Sequence, residues 1–240
     1  MLGLNNMNKW IETRAGRSLM EAERYRIKLS LPDMHGHYLL QYSAWDKKIV
    51  ESTTLRHEFF VTQDGSSGAL IDFMQLPFRD NSMDCVVAHH VLDQCDNPHQ
   101  ALREAARVVV PNGYLVIVGF NPWSFWGLSR FLPKSNSPAG RKYISKRRVT
   151  DWLNLLGFRV EQVEQTQFLP PVIAQHGPSL SAGFDRLASN WGLPGGGVYI
   201  MIARKLVAGR TPIRPQWRAL TGRRLPVATP SARGMRVTDR

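Results

Sequence analysis

Residues 84–120 contain the pattern that most limits how this chain can fold. Four consecutive apolar residues at 85–88 predict a strand that is covered on both faces of a sheet. Asn97 and Pro98 are typical of the first turn of a helix, and apolar residues then recur at helical spacing. A second apolar run at 114–118 predicts the next strand. A strand, a helix and a strand joined by short links form a βαβ unit, which sets two parallel strands in one sheet.

Further helices and strands are predicted on both sides of this unit. Short apolar runs predict the strands, and a helical periodicity bounded by turn residues predicts the helices. The helix of the unit is expected to end at the turn residues 111–113. The other predicted segments are a helix within 9–30, strands at 38–42, 58–62 and 69–72, a helix capped by Gly157, a strand from 158 and a strand at 198–203. Their order predicts an α/β fold, in which an open sheet carries helices on both faces.

The excess of positive charge lies mainly at the end of the chain. The 240 residues carry a formal charge of +12, and residues 206–240 alone contain eight arginines and one acid. Prolines and a lack of apolar periodicity predict that 206–240 is a flexible basic tail. Residues 1–205 are predicted to form the α/β domain, with a helical lead-in over about 1–35. The tail either serves solubility or makes weak contacts with phosphate-rich partners such as nucleic acids.

Several features bear on the cellular setting of the chain. The longest apolar runs are far shorter than the roughly 20 residues that a membrane-spanning helix needs, so no membrane span is predicted. The first 20 residues are polar and interrupted by charges, unlike a signal peptide. Cys85 and Cys95 lie in apolar stretches and are expected to pack as small side chains in a reducing compartment. We therefore predict a cytoplasmic protein.

Polar and aromatic residues follow the predicted strands at the positions where ligands bind in open α/β sheets. In such sheets the ligand lies outside the carboxyl ends of the strands. The residues at these positions are Ser43, Ala44 and Trp45; Asp64; Asp72, Phe73 and Met74; His89 and His90; and Asn121 and Trp123. This row can accept hydrogen bonds and stack on a flat heterocycle. No group of histidines, cysteines and acids has metal-ligand spacing, so no metal is predicted.

Three sequence blocks resemble a known family. The stretches LPFRDNSMD at 76–84, VVAHHVL at 86–92 and NPHQALREAARVVVPNGYLVIV at 97–118 resemble class I S-adenosylmethionine-dependent methyltransferases, most closely the type-11 group. The stretches VGFNPWSFWGL at 118–128 and DWLNLLGF at 151–158 are similar to a narrower proteobacterial family called YafS-like. The resemblance is strong over about 69–165, weaker over 30–68, and does not reach the tail.

The resemblance implies a fold and a cofactor. The fold is the Rossmann-like methyltransferase fold, an open, doubly wound, mostly parallel sheet of the seven-stranded type. Its N-terminal half is expected to be shortened, because 62–69 has no room for a helix between the second and third strands. The cofactor is S-adenosylmethionine, whose methyl group would be transferred to an unidentified acceptor, expected to be a small molecule.

The resemblance also implies roles for individual residues. Asp72 would accept a hydrogen bond from the adenine amino group, and Asp64 is the acid nearest to the ribose position. The walls of the adenine site would be Phe73, Met74 and Leu76. The residues expected near the amino acid end and the methyl group are Tyr42, Ser43, Ala44, His89 and His90, with His89 as the catalytic candidate. Substrate would enter beside Asn121, Trp123 and Trp126.

Two alternatives to this enzyme remain open at this stage. The loop 41–46 contains no glycine, whereas the family's first loop is rich in glycine, so the chain could be an inactive methyltransferase-like scaffold that binds a partner. The basic tail and the segment 130–148, with seven basic residues and no acid, instead favour methylation or binding of RNA. Trp123, Phe125 and Trp126 are interpreted as a hydrophobic lid or a dimer patch.

Overall fold

A computed structural model of the chain describes residues 9–30, 36–50, 55–62, 71–129, 142–169 and 195–206. Asp64 and the tail beyond Leu206 lie outside these ranges, as do parts of the 130–148 segment and of the long connection before the last strand. The division into a domain at 1–205 and a tail at 206–240 therefore stays a prediction. No helix in the described ranges is long and apolar enough to cross a bilayer.

The described residues form one sheet with helices between its strands. The strands are β1 (Tyr38–Ser43), β2 (His57–Thr62), β3 (Met83–His89), β4 (Val109–Phe120), β5 (Phe158–Thr166) and β6 (Val198–Lys205). The helices are α1 (Arg14–Ser30), α2 (Val91–Gln94), α3 (Pro98–Val108), α4 (Phe125–Ser129) and α5 (Lys146–Leu155). These elements confirm the predicted α/β fold.

The sheet is mostly parallel. Its strand order is β2-β1-β3-β4-β6-β5, in which the first four strands run parallel and β6 runs antiparallel to both of its neighbours. The described residues give six strands, so a count of seven is not confirmed. Within the strand predicted at 69–72, Asp72 pairs only with Gln75 in an isolated bridge. The described end of that segment is therefore a tight turn.

The apolar run of β3 is explained by cover on both faces of the sheet. Val86 and Ala88 pack into one hydrophobic cluster together with the apolar face of α3. Cys85 and Val87 point to the other face and pack into a second cluster with residues of α1. A strand buried on both sides has no polar face, which is why its sequence reads as a continuous apolar run.

The observed ends of α3 and α5 can be compared with those predicted from cap and turn residues. The Asn97 side chain caps α3 by accepting a hydrogen bond from the Gln100 N–H at 3.2 Å, as predicted. The expectation that 111–113 ends this helix is wrong, because α3 ends at Val108 and β4 begins at once. Asn112 has a φ of 63° inside β4, so these turn residues shape a strand. Gly157, with a φ of 79°, follows α5 as predicted.

Lys205 should contribute measurably to stability through its bonds to α3 and β4. Its Nζ donates to the carbonyls of Ala106 at 2.8 Å and Val109 at 2.6 Å, and to Asn81 Oδ1 at 2.9 Å. We expect Lys205→Met to lower the free energy of unfolding by about 1–3 kcal/mol, because partly buried acceptors lose their donor. Urea denaturation measures this change. The control Lys47→Met removes only an exposed ion pair with Glu12 and should cost less than about 1 kcal/mol; an equal loss would contradict the assignment.

Candidate functional site

The candidate site lies where the strand order reverses. β1 sits between β2 and β3, so the chain leaves β1 to one side of the sheet and later returns on the other side. The last residues of β1 and β3, Ser43 and His89, are register partners across this point. Ligands of open α/β sheets bind in the crevice beyond such a switch point. The sequence-predicted residues of these two strand ends are thereby brought together.

A fully buried cluster of charged and polar side chains occupies these strand ends. The two carboxylate oxygens of Glu23, on α1, lie 3.0 Å from His89 Nε2 and 2.9 Å from His90 Nε2. His90 Nδ1 lies 2.9 Å from Asp93 Oδ2 on α2. All four side chains are 0 % exposed. Burial of this many ionisable groups requires that each one be paired, so the cluster fixes α1 and α2 against the sheet.

Backbone and hydroxyl groups complete the cluster. The Ser43 hydroxyl lies 2.9 Å from His89 Nδ1, and its oxygen accepts a hydrogen bond from the Trp45 N–H at 3.0 Å. Asp93 Oδ2 also accepts from the Phe120 N–H at the end of β4, at 3.0 Å. The cluster thus ties together the ends of β1, β3 and β4.

The two histidines of the cluster differ in charge at pH 7. Burial by itself would lower the pKa of His90, but the Glu23 charge and the bonds to Asp93 and Glu23 raise it to about 9. Burial lowers the pKa of His89, so this ring is neutral at pH 7. Burial would raise the pKa of Glu23, but His90 and His89 together lower it to about 2. A neutral His89 that donates from Nε2 to Glu23 leaves Nδ1 free to accept from the Ser43 hydroxyl.

Trp45 covers the cluster. Its ring stacks on His90, with ring centroids 4.4 Å apart and an interplanar angle of 21°. The Trp45 and His89 rings are nearly perpendicular, with ring centroids 4.7 Å apart. Trp45 is 0 % exposed, and its buried Nε1 has no hydrogen-bond partner among the described residues. A cationic His90 below an indole face is a favourable arrangement, because the ring face carries negative potential.

The structure separates the predicted adenine residues by exposure. Asp72 is exposed, and its Oδ1 accepts a hydrogen bond from the Met74 N–H at 2.9 Å. Met74 is half-buried, whereas Phe73 and Leu76 are buried in the core. Phe73 packs edge-on against Tyr42, with ring centroids 5.6 Å apart, on the sheet face opposite Trp45. Because Tyr42 stands next to the last residue of β1, Asp72 lies near the carboxyl end of that strand. The buried Phe73 anchors the turn that contains Asp72.

The predicted substrate residues also differ in how far they are exposed to solvent. Asn121 is largely buried and fixes a turn: its Nδ2 donates to the Gly196 carbonyl and its Oδ1 accepts from the Trp123 N–H, each at 3.1 Å. Trp126 is 0 % exposed and donates from Nε1 to the Leu169 carbonyl at 2.8 Å. Trp123 is 80 % exposed. Of the three, Trp123 alone offers a free face to a binding partner.

Sequence analysis missed Glu23, the central carboxylate of the cluster. Glu23 lies on α1, 66 residues before His89, so spacing along the chain gives no hint of their contact. A local signal does exist. The buried face of α1 carries Leu19 and Ile27, and Glu23 stands between them at intervals of four residues. An acid inside an apolar helical stripe indicates a buried partner.

Glu23, His89 and His90 also have the composition of a metal site. One donor atom from each of these residues lies within 4.8 Å of the others. In the structure these atoms hydrogen-bond to one another, which accounts for their closeness. The expectation that no metal binds stays a prediction.

Comparison with known proteins identifies the fold. Residues 54–117 match a family model described as a methyltransferase domain. A S-adenosylmethionine-dependent methyltransferase from Thermotoga maritima superposes with a TM-score of 0.56 at 18 % identity, over 84 % of this chain and 95 % of that protein. One from Archaeoglobus fulgidus gives 0.54 at 16 % identity, over 76 % and 92 %. At such low sequence identity, the superposition shows only that these proteins share a fold.

The fold and the matched domain place the chain among the class I methyltransferases of the type-11 group. Within that class the sequence is 33 % identical to the uncharacterized protein YafS of Escherichia coli strain K12. The match extends over 165 residues, which is 67 % of this chain and 69 % of its relative. The chain belongs to the YafS family, as the resemblance implied.

The described residues fit the two ends of S-adenosylmethionine unequally. The exposed carboxylate of Asp72 is the right acceptor for an exocyclic amine, because an ionised carboxylate only accepts. Ser43, His89 and His90 are each 0 % exposed, so a ligand touches them only after a covering side chain has moved. Trp45 is the aromatic cover of the two histidines. Asp72 would be open to the adenine end as the structure stands, whereas contact of the amino acid end with these buried residues would require Trp45 to leave its place.

The charged state of His90 predicts a pH dependence of stability. Between pH 6.5, the ordinary pKa, and about 9, the folded protein keeps a proton on His90 that the unfolded chain has lost. Stability should therefore fall as the pH rises through this window, by at most about 3 kcal/mol. Denaturant unfolding across the window measures the slope, and NMR titration of the His90 ring gives its pKa directly.

Matched variants assign that slope to His90. His90→Gln should lose the slope, whereas His57→Gln, which replaces an exposed histidine on β2, should retain it. A slope that survives in His90→Gln, or a ring that titrates below pH 6.5, would show that the cluster does not hold a cation.

Proposed function

We propose that this protein is a S-adenosylmethionine-dependent methyltransferase that acts on a small-molecule acceptor. The observation that carries the proposal is Asp72, an exposed carboxylate beside the switch point of a methyltransferase fold. Its neighbour Phe73 touches Tyr42 near the carboxyl end of β1, so the carboxylate and the polar cluster belong to one edge of the sheet. That edge is where open α/β sheets bind their ligands.

The proposed roles follow from exposure and charge. Asp72 would hold the adenine amine, with half-buried Met74 against the ring. When bound, the cofactor supplies a methyl group already activated by its sulfonium. The protein then contributes mainly by aligning the acceptor and excluding water. Asp64 in the ribose position stays a prediction, since it lies outside the described residues.

His89 is proposed as the group that accepts a proton from the acceptor. A base is needed only where the attacking oxygen or nitrogen carries a proton. The lowered pKa of His89 keeps its ring neutral at pH 7, which is the state that a base requires. Glu23 accepts a hydrogen bond from Nε2, so the proton would be taken up at Nδ1, by way of the Ser43 hydroxyl, which would receive the acceptor's proton and pass its own to the ring. Displacement of Trp45 would expose this ring to the acceptor.

We also propose that the reaction takes place in the cytoplasm. Cys85 and Cys95 are buried and form no disulfide, which agrees with a reducing compartment such as the cytoplasm. The contact of the basic tail with nucleic acids lies outside the described residues and stays a prediction.

Calorimetric titration of the full chain with S-adenosylhomocysteine tests the cofactor. We expect saturable binding, and we expect Asp72→Ala to weaken it by about 1–3 kcal/mol, because the adenine amine loses its acceptor. Asp151→Ala removes an exposed carboxylate on α5 and is the matched control, for which no change is expected. An absence of binding would refute the enzyme, and equal affinities in wild type and Asp72→Ala would refute the role of Asp72.

Trp45→Ala tests whether Trp45 covers the amino acid end of the site. Because part of the binding free energy is spent in moving the indole, we expect the variant to bind S-adenosylhomocysteine more tightly than the wild type. The same variant should unfold at a lower denaturant concentration, since a buried ring is lost. Trp152→Ala, in a half-buried position on α5, should lose stability without a gain in affinity. A folded Trp45→Ala variant with unchanged or weaker affinity would contradict the covering role.

A further inference from the structure

Four aromatic side chains form a continuous group near the start of the first two strands. Tyr38 begins β1 and is 42 % exposed. His57 and Phe59 lie on β2, where His57 is exposed and Phe59 is 40 % exposed. Half-buried Phe78 adjoins Phe59 from the loop before β3. We call these four residues the aromatic row. Single exposed rings need no explanation, but a contiguous group marks an interaction surface.

The rings of the aromatic row contact one another in order. Tyr38 stacks on His57, with ring centroids 5.2 Å apart and an interplanar angle of 21°. The Tyr38 and Phe59 rings are also close to parallel, at 6.4 Å and 23°. The Phe59 and Phe78 centroids lie 5.9 Å apart. The four rings therefore form one surface.

The sheet places the aromatic row on one face and at an open edge. Tyr38 and His57 are register partners, and Leu40 is the register partner of Phe59. Leu40 is buried in the cluster that contains the apolar face of α3, so the row continues that face toward the amino ends of the strands. β2 pairs with β1 and with no other described strand, so its two rings stand at the outer edge of the described sheet.

Two arginines adjoin the aromatic row. Arg56 directly precedes His57, Arg79 directly follows Phe78, and both arginines are exposed. Consecutive Cα atoms are only about 3.8 Å apart, so each guanidinium is within reach of a partner bound at the neighbouring ring. Neither arginine side chain has an ion pair or a hydrogen bond within the described part of the chain. Both cations are therefore open to an anionic partner.

The acids of the same segments are turned away or already engaged. Glu58 is the register partner of Leu39, which is buried in the cluster on the other face of the sheet, so the Glu58 side chain leaves from that face. Asp80 forms an ion pair with Arg107 at 2.6 Å. Asp84 accepts two backbone N–H bonds at the start of β1, at 2.8 and 2.9 Å. The free charge beside the aromatic row is thus positive.

We propose that the aromatic row and its two arginines bind single-stranded nucleic acid. Bases stack on exposed rings with little regard to sequence, and arginines pair with the phosphates that join them. The near-parallel rings end at the outer edge of β2, where a base can extend the stack. The proposal does not rest on the cofactor site, because the row lies at the amino ends of β1 and β2 and the cofactor would lie beyond the carboxyl ends.

Charge and ring geometry favour nucleic acid over other partners. A second copy of the chain would bring the same two arginines against their own, and the whole chain carries +12. An acidic peptide would meet the arginines if it added a strand to the edge of β2, but backbone pairing makes no use of parallel rings. A nucleic acid strand uses both the rings and the cations.

Fluorescence anisotropy of the full chain with labelled oligonucleotides tests the rings. We expect saturable binding of a uridylate or a thymidylate decamer, and the tighter of the two identifies RNA or DNA as the partner. The double variant Tyr38→Ala, Phe59→Ala should bind at least tenfold more weakly, because bases lose the rings on which they stack. The matched control Tyr25→Ala, Phe125→Ala removes rings that are 53 % and 60 % exposed elsewhere, and it should bind like the wild type.

A second pair of variants tests the charge. Arg56→Gln, Arg79→Gln should weaken binding and make it less dependent on salt, because phosphate contacts are lost. Arg147→Gln, Arg159→Gln removes two exposed arginines on α5 and β5 and should have a smaller effect. Equal effects of the two pairs would show that only the overall charge of the chain matters, which would overturn the proposal.

Further measurements keep the test independent of folding and of the cofactor. Tyr38→Leu, Phe59→Leu retains apolar side chains without rings, and it should lose as much affinity as the alanine pair while unfolding at the same temperature as the wild type. Asp72→Ala should bind the oligonucleotides normally. Absence of binding to both decamers, or equal losses in the ring variants and their control, would overturn the proposal. So would polyglutamate that displaces the decamers at equal charge, or a dimer in sedimentation velocity that the ring variants abolish.

Discussion

The carboxylate of Glu23, held between two imidazole rings in the interior, is the contact on which the rest of this structure depends. It joins α1, the first described long helix, to the carboxyl end of β3. Unpaired buried charges are costly, so each member of the cluster requires the others. The same cluster reaches β1 through Ser43 and β4 through Asp93 and Phe120. One carboxylate therefore positions four elements around the switch point of the sheet.

Trp45 links this cluster to the proposed chemistry. The ring gains from contact with a cationic His90 and from complete burial, yet no group in the described part of the chain accepts a hydrogen bond from its Nε1. A buried donor without an acceptor is a local cost that makes this arrangement less stable than a fully satisfied one. The cover over the strand ends is thus stable but not optimal, which agrees with the proposal that Trp45 gives way to a ligand.

The sequence predicted the local elements well because their signals are local. The apolar run of β3, the Asn97 cap and Gly157 each depend on neighbours within one turn or strand. The contacts of Glu23 could not be predicted in this way, because its partners are brought near only by the fold. The exposure of these side chains could not be predicted either: Trp123 and Trp126 stand three residues apart in similar sequence, and contacts from distant parts of the chain, with Trp10 and the Leu169 carbonyl, bury Trp126.

The position of β6 in the sheet limits when the sheet can form during synthesis. It is the last of the described strands along the chain, yet it lies between β4 and β5, and β5 pairs with no other described strand. Until residue 205 has left the ribosome, β4 has an open apolar edge and β5 has no partner. A chain released before that point would expose these edges to other nascent chains. Productive folding of the described sheet is therefore delayed until β6 has been translated.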